Sequence, residues 1–336
     1  MCVIPLATRL LVASLVGLCF LPRLSALENI TDGASQRVEY VRAVRQLFVD
    51  EDFARLEKIA DKLRQEKSRF PEGLCKLQCF YLAFGVESTK RAKIDWDQWL
   101  SRLERWEQKF PESITARIAH AGALISYAWE ARGGGWADTV SAQGWQLFAD
   151  RLKYARSILE AIPAAKTCPG YYAEMMTIAL GQSWSRAEYE KLFAEAVALA
   201  PDYEDFYFRK VYFLQEKWYG QPREWLRFAE EAAATTAATL GETMYARLVW
   251  ATVPPPDVQR FQAANIDWPK LRQAFEDLIQ RTPASLWNKN AYCFYAYAAG
   301  DHDTARRLMN QLNGRYAAEI WQNETLFKQV EDWVRK

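Results

Sequence analysis

The sequence predicts an all-α protein, a tetratricopeptide-like stack of antiparallel helix pairs forming a curved superhelix. Three observations lead there. Apolar residues recur at helical spacing along most of the chain, proline-marked corners return between those segments, and alternation at period two is absent over any useful length.

The chain opens MCVIPLATRLLVASLVGLCFLPRLSALEN, with Arg9 followed by a largely apolar run from Leu10 to Leu21, then Pro22 and the small residues Ser25 and Ala26. That is the pattern of a secretory signal peptide. The apolar run is 12 residues long, short of the roughly 20 that span a bilayer as a helix. Cleavage near Ala26 is therefore expected, with residues 1–26 removed and 27–336 left as a single degenerate helical-repeat domain. Leu18 stands before Cys19 where a lipoprotein signal needs a small residue, so no lipid anchor is expected. The expected compartment is periplasmic or extracellular, with no stable membrane span in the mature chain.

Charge narrows the partners. Loss of Arg9 and Arg23 with the signal takes 43 basic residues to 41 against 42 acidic ones, a net charge of about −1. Nucleic acid is a poor partner for so neutral a chain. Hydrophobic residues make up 50% of the sequence, enough for a sizeable core, and its 14 tryptophans favour a groove, since large rings bury area while keeping a polar edge near a surface.

The first helical segment runs from Ser35 to Phe48, where Val38, Val41, Val44, Leu47 and Phe48 share a face. A second follows Asp50–Asp52, with Phe53, Leu56, Ile59, Ala60 and Leu63 on one side. Next comes the repeat: "RFPEG" at Arg69–Gly73 returns as "KFPES" at Lys109–Ser113, each between two helical segments. Proline is disfavoured within a helix but welcome at its first turn, so these are hairpin corners. Pro201 and Pro283 mark two more, and Gly300-Asp301 a turn. Helix pairs closed by proline are how tetratricopeptide-type repeats are built, although intervals of 90 and 82 residues between later corners indicate degenerate or expanded repeats. Such a stack has a concave face as its default binding surface. Pro254–Pro256 form a surface loop or stiff spacer.

Little of the sequence resembles catalytic chemistry. His120 sits in an Ala-rich helix and reads as a core residue; His302 reads as a turn residue; neither belongs to a metal motif. No nucleophile elbow is present, and no cofactor is expected. Export makes disulfides possible among Cys75, Cys79, Cys168 and Cys293, with three pairings available, the alternative being four small buried residues. Cys75 and Cys79 stand one helical turn apart, but no second pair completes a zinc site. Gly133, Gly134 and Gly135 follow a helix and precede Trp136, Ala137 and Asp138, so they lack both the strand and the Gly-Lys-Ser/Thr of a phosphate loop. They read as a helix end with free backbone angles. Trp136 and Trp145 are expected to lock that corner, and Arg132 and Asp138 could pair across it.

The stretches "ARGGGWADTVSAQGWQLFADRLKYARSILE", "CPGYYAEMMTIALGQSWSRAEYEKLFAEAVALAPDYEDFYFRKVYFLQEKWYGQPREW" and "PASLWNKNAYCFYAYAAGD" together resemble the bacterial family known as domain of unknown function 4034. The resemblance implies a tetratricopeptide-like fold in exported or envelope proteins and brings no activity with it. It singles out Arg132, Trp136, Asp138, Trp145, Trp218, Tyr219, Gly220, Trp225, Trp287, Asn288 and Asn290. Of these, Arg132, Trp136, Asp138, Trp145, Trp218, Tyr219, Asn288 and Asn290 are the candidate ligand-binding residues. Core packing competes for the tryptophans, and helix capping for the two asparagines. The expected function is a scaffold that binds a protein or peptide on its concave face. The alternative is a carboxylate-dependent hydrolase acting on a glycan there, which needs two carboxyl groups across an aromatic-lined pocket.

Overall fold

The computed structural model describes residues 28–29, 32–85 and 94–336, so the expected signal segment, with Cys2 and Cys19, lies outside the described residues. These residues are all-α. In chain order the helices are α1 (Ala34–Val49), α2 (Phe53–Glu66), α3 (Lys76–Leu82), α4 (Trp96–Lys109), α5 (Ile114–Arg132), α6 (Ala142–Glu160), α7 (Pro169–Gly181), α8 (Arg186–Leu199) and α9 (Glu204–Phe213). Then follow α10 (Glu224–Leu240), α11 (Thr243–Thr252), α12 (Val258–Ala263), α13 (Trp268–Arg281), α14 (Leu286–Ala298), α15 (His302–Leu312), α16 (Ala318–Trp321) and α17 (Glu324–Arg335). Two-residue strands, Glu28–Asn29 and Arg315–Tyr316, pair in parallel. No helix among the described residues is long and apolar enough to cross a membrane.

Local chemistry sets the helix starts. Asp52, Asp95, Ser113, Ser141, Asp257, Asp267, Ser285, Asp301 and Asn323 each accept a backbone N–H in the first turn of the helix they precede. Ser185 and Glu188 complete a reciprocal capping box on α8. Consecutive helices then pack as hairpins: α1 on α2, α5 on α6, α7 on α8, α10 on α11 and α14 on α15. Their inward faces merge into one continuous cluster of buried apolar residues from Val41 to Val334. Aromatic rings dominate it near the N-terminus, where Trp106 stacks on Phe53 at 5.4 Å and lies 5.3 Å from Phe84.

One feature departs from an open stack, in which each repeat touches only its neighbours. The first proline corner is buried at a hub that joins distant parts of the chain. Glu72, with no exposed surface, pairs with Arg37 of α1 at 2.6 Å, and its backbone carbonyl accepts from Arg247 of α11 at 2.5 Å and Asn288 of α14 at 3.1 Å. Arg69 pairs with the buried Glu204 of α9, and Asp32 accepts from Trp287 N in the first turn of α14 at 3.1 Å. The N-terminal third is thereby fastened to α9, α11 and α14.

The four remaining cysteines are buried and unbridged. Cys75 and Cys79 lie at the start of α3, Cys168 touches the Tyr81 hydroxyl at 3.4 Å, and Cys293 faces the Ala305 carbonyl inside the C-terminal hairpin. Burial pushes the Cys75 thiol up to about 11 and Cys79 up to about 12, so both stay protonated and unreactive near neutrality. His302 is also not a free turn residue: it begins α15, and its Nε2 lies 3.0 Å from the Trp333 carbonyl.

Candidate functional site

Helices α5, α7, α8 and α9 enclose a cavity of about 410 Å³. Trp129, Met176, Leu180, Tyr189, Phe208 and Tyr212 form its apolar walls, and Thr177, Asp205 and Arg209 its polar part. The spacing of α9 produces this: Asp205, Phe208, Arg209 and Tyr212 recur at three and four residues and share one face. Tyr189 is held by stacking on Phe213, with ring centroids 3.8 Å apart.

The polar part is internally satisfied. Arg209 Nε donates to Asp205 at 2.9 Å, its Nη2 stands 3.7 Å from Glu174, and its Nη1 donates to the Thr177 hydroxyl. Gln78 of α3 donates to the other Asp205 oxygen at 2.9 Å, tying the cavity floor to α3. Burial pushes the Glu174 carboxyl above its ordinary range, outweighing the pull of Arg209. Burial opposes the charge on Arg209, but Asp205 and Glu174 more than compensate and hold it firmly protonated.

Three of the residues singled out from sequence meet beside this cavity. The Arg132 guanidinium lies 5.7 Å from the Trp129 ring, 5.6 Å from Trp145 and 5.8 Å from Trp218, close enough for cation–π attraction. Trp218 in turn packs edge-on against Trp129 at 5.8 Å and lies 5.7 Å from Tyr212, so the cluster continues directly into the cavity wall. Tyr219 fastens this turn: its ring stacks on Phe213 and its hydroxyl reaches the Leu180 carbonyl at 3.2 Å. Gly220 is required there, because a Cβ would overlap the Leu214 carbonyl.

The glycine corner differs from expectation. Arg132 does not pair with Asp138; its Nη1 donates to the carbonyls of Gly133 at 3.0 Å and Gly135 at 2.8 Å. The loop can wrap onto the guanidinium because Gly133 takes φ +72°. Asp138 is exposed in a short 3-10 turn, Ala137–Thr139. Trp136 locks nothing, being 76% exposed, because the loop projects outward with no neighbour within 4 Å of where a Gly133 or Gly134 Cβ would stand.

Asn288 and Asn290 lie away from the cavity, wholly buried, and this corrects their assignment as ligand contacts and as caps. Ser285 is the α14 cap. Asn288 donates to Thr282 Oγ1 at 2.8 Å as well as to the hub carbonyl, whereas Asn290 Oδ1 accepts from Trp321 Nε1 at 2.7 Å and Ala317 N at 3.1 Å. The Asn290 amide is spent on the chain's own groups on both sides, and Asn288 spends its Nδ2 the same way while its buried Oδ1 meets no donor among the described residues.

Trp129, Asp205, Phe208, Arg209 and Tyr212 escape the sequence reading. The signal available is the stretch "EDFYFRKVYF", an aromatic-rich helix with acids on its buried side. Among the described residues no three His, Cys, Asp or Glu side chains gather as a metal-holding group. Comparison with protein families, curated proteins and solved structures finds no match to this chain.

Proposed function

We propose that this chain is an exported helical-repeat scaffold that binds an extended peptide, with an apolar side chain of the ligand seated in the cavity between α5, α7 and α9. The observation that carries this reading is the continuity of the aromatic surface from half-exposed Trp145 and Tyr212 through Trp218 and Trp129 into a cavity of about 410 Å³. Pockets of this size with mostly apolar walls and a few placed polar groups are where ligands bind. Aromatic side chains recur as the energetic anchors of interfaces.

Glycan hydrolysis draws less support. It needs one carboxyl free to give a proton and a second free to attack or activate water. Asp205 is committed to Arg209 and Gln78, and Glu174 lies outside the cavity lining, against the same guanidinium.

Selection of a displayed random peptide library on the protein tests the reading. Enriched peptides should carry a Leu, Phe or Trp, and Tyr212→Ala should weaken their binding about tenfold or more while leaving the fold intact, since Tyr212 is 39% exposed. Equal binding to Tyr212→Ala and Phe208→Ala would count decisively against the cavity as the site. Export rests on the N-terminal pattern from Arg9 to Ala26. The intact mass of the exported chain should correspond to loss of residues 1–26, and a retained N-terminus would overturn it. The family suggested by the Arg-Gly, Trp-Tyr-Gly and Trp-Asn-x-Asn islands is part of the same proposal.

A further inference from the structure

We infer that the peptide is acidic, and that Arg132 receives its carboxylate while an adjacent apolar residue fills the cavity; this rests on the cleft being the peptide site. Arg132 spends only Nη1 on the glycine corner, through Gly133 and Gly135. Its remaining donors, Nε and Nη2, meet no carboxylate among the described residues. The guanidinium is nonetheless fixed in place, by two carbonyls on one side and three indole rings at 5.6–5.8 Å around it. A preorganised guanidinium with a free edge is the side chain best shaped for a carboxylate.

Two further observations point the same way. Lys217, next to Trp218 in sequence, lies over the Tyr212 ring at 4.5 Å and pairs with no acid among the described residues, so a second cation borders the cleft. The Trp218 indole N–H is buried without an acceptor, adding a donor to the same cluster. The acids nearest in sequence, Glu130, Asp138 and Glu216, are exposed and pair with neither cation, and Glu130 instead accepts from Trp96 Nε1 at 3.0 Å. An extended acidic peptide therefore complements the rim in charge and the cavity in polarity. Because Trp129 both contacts Arg132 and lines the cavity, the acid and the apolar anchor should lie close together in the ligand.

Charge reversal provides the test. The displayed library is selected in parallel on the wild-type protein and on Arg132→Glu. Wild type should enrich peptides with Asp or Glu at a fixed offset from a Leu, Phe or Trp. Synthetic peptides of that set should bind about tenfold tighter than their Asn or Gln counterparts. That preference should vanish on Arg132→Gln, persist on Arg132→Lys, and become a preference for Lys or Arg on Arg132→Glu. If wild type enriches apolar peptides with no acid and Arg132→Gln leaves their affinity unchanged, the inference is overturned while the cleft stands. If nothing is enriched, or the enriched peptides ignore Tyr212→Ala and Phe208→Ala, the cleft reading falls and takes the inference with it.

Discussion

Replacing Arg69 with alanine is expected to cost about 3–5 kcal/mol of folding stability, the usual consequence of stripping one partner from a buried ion pair. Arg69 pairs with Glu204, which is only 1% exposed, and donates to the carbonyls of Gly73 at 2.8 Å and Asp202 at 2.7 Å. Burial already pushes the Glu204 carboxyl above its ordinary range, with Arg69 as the largest opposing influence. Its second oxygen has no donor among the described residues. Without the guanidinium, α9 must either bury an uncompensated charge or separate from the corner at Phe70–Gly73. Arg69→Lys should recover part of the loss but not all of it, because an ammonium cannot serve three acceptors with a planar fork. Urea unfolding reads the effect, with Arg105→Ala as the control. The Arg105–Glu51 pair is short, at 2.5 Å, but both partners are exposed, and its removal should leave the midpoint nearly unchanged. Equal midpoints for the two variants would mean that the hub does not hold the fold together.

Trp106→Ala should cost a similar amount, about 3–5 kcal/mol, through a different mechanism. The ring is completely buried, stacks on Phe53 with an interplanar angle of 2°, and lies 5.3 Å from Phe84 and 6.2 Å from Phe48. Truncation leaves a void among side chains that cannot close over it, since Phe53 is pinned at the first turn of α2 and Phe84 at the end of α3. The indole N–H also donates to Glu57 at 2.8 Å, and Ser113 donates to the same oxygen at 2.5 Å, so the ring links α2 to the cap of α5. Trp106→Phe retains much of the volume but not the donor and should cost about 1–2 kcal/mol. Chemical unfolding of the two variants separates the contributions. Trp106→Phe losing as much as Trp106→Ala would place the energy in the hydrogen bond and not in the packing.

The two "FPE" corners show how much of this fold was legible in the sequence, and where legibility stopped. Periodic apolar residues and corner prolines placed helices at α1, at α2 and on either side of the second corner, because each signal is local. The corners read alike, yet Glu72 is wholly buried at the hub and Glu112 is exposed to solvent. Little nearby distinguishes them: apart from Arg37, 35 residues before Glu72, the partners of the first corner, Glu204, Arg247 and Asn288, lie 135 or more residues away in the chain. Asp205 was hidden for the same reason. An acid in the first turn of a helix reads as a solvated complement to the dipole, and only its contact with Gln78, 127 residues earlier, reveals it as part of a cavity floor.

The cleft residues split along similar lines. Arg132, Trp145 and Trp218 stood out because glycine-broken and aromatic islands are conspicuous, and the fold does bring them together. Trp129 and Tyr212, which connect them to the cavity, belong to helices whose aromatic residues could equally have faced the core. Asn288 looked equally distinctive, yet it serves the hub through the Glu72 carbonyl.

Hydrogen–deuterium exchange on the full chain, with and without a saturating selected peptide, tests the central claim most directly. Slowed exchange should be confined to segments around the cleft: the end of α5 at Trp129–Arg132, α7 near Met176–Leu180, and α9 with its following turn from Asp205 to Trp218. A second cavity, of about 540 Å³, is bounded by Gln36, Glu39, Tyr40, Arg69, Phe70, Pro71 and Lys76. Protection there, with none around Trp129 and Tyr212, would contradict the account.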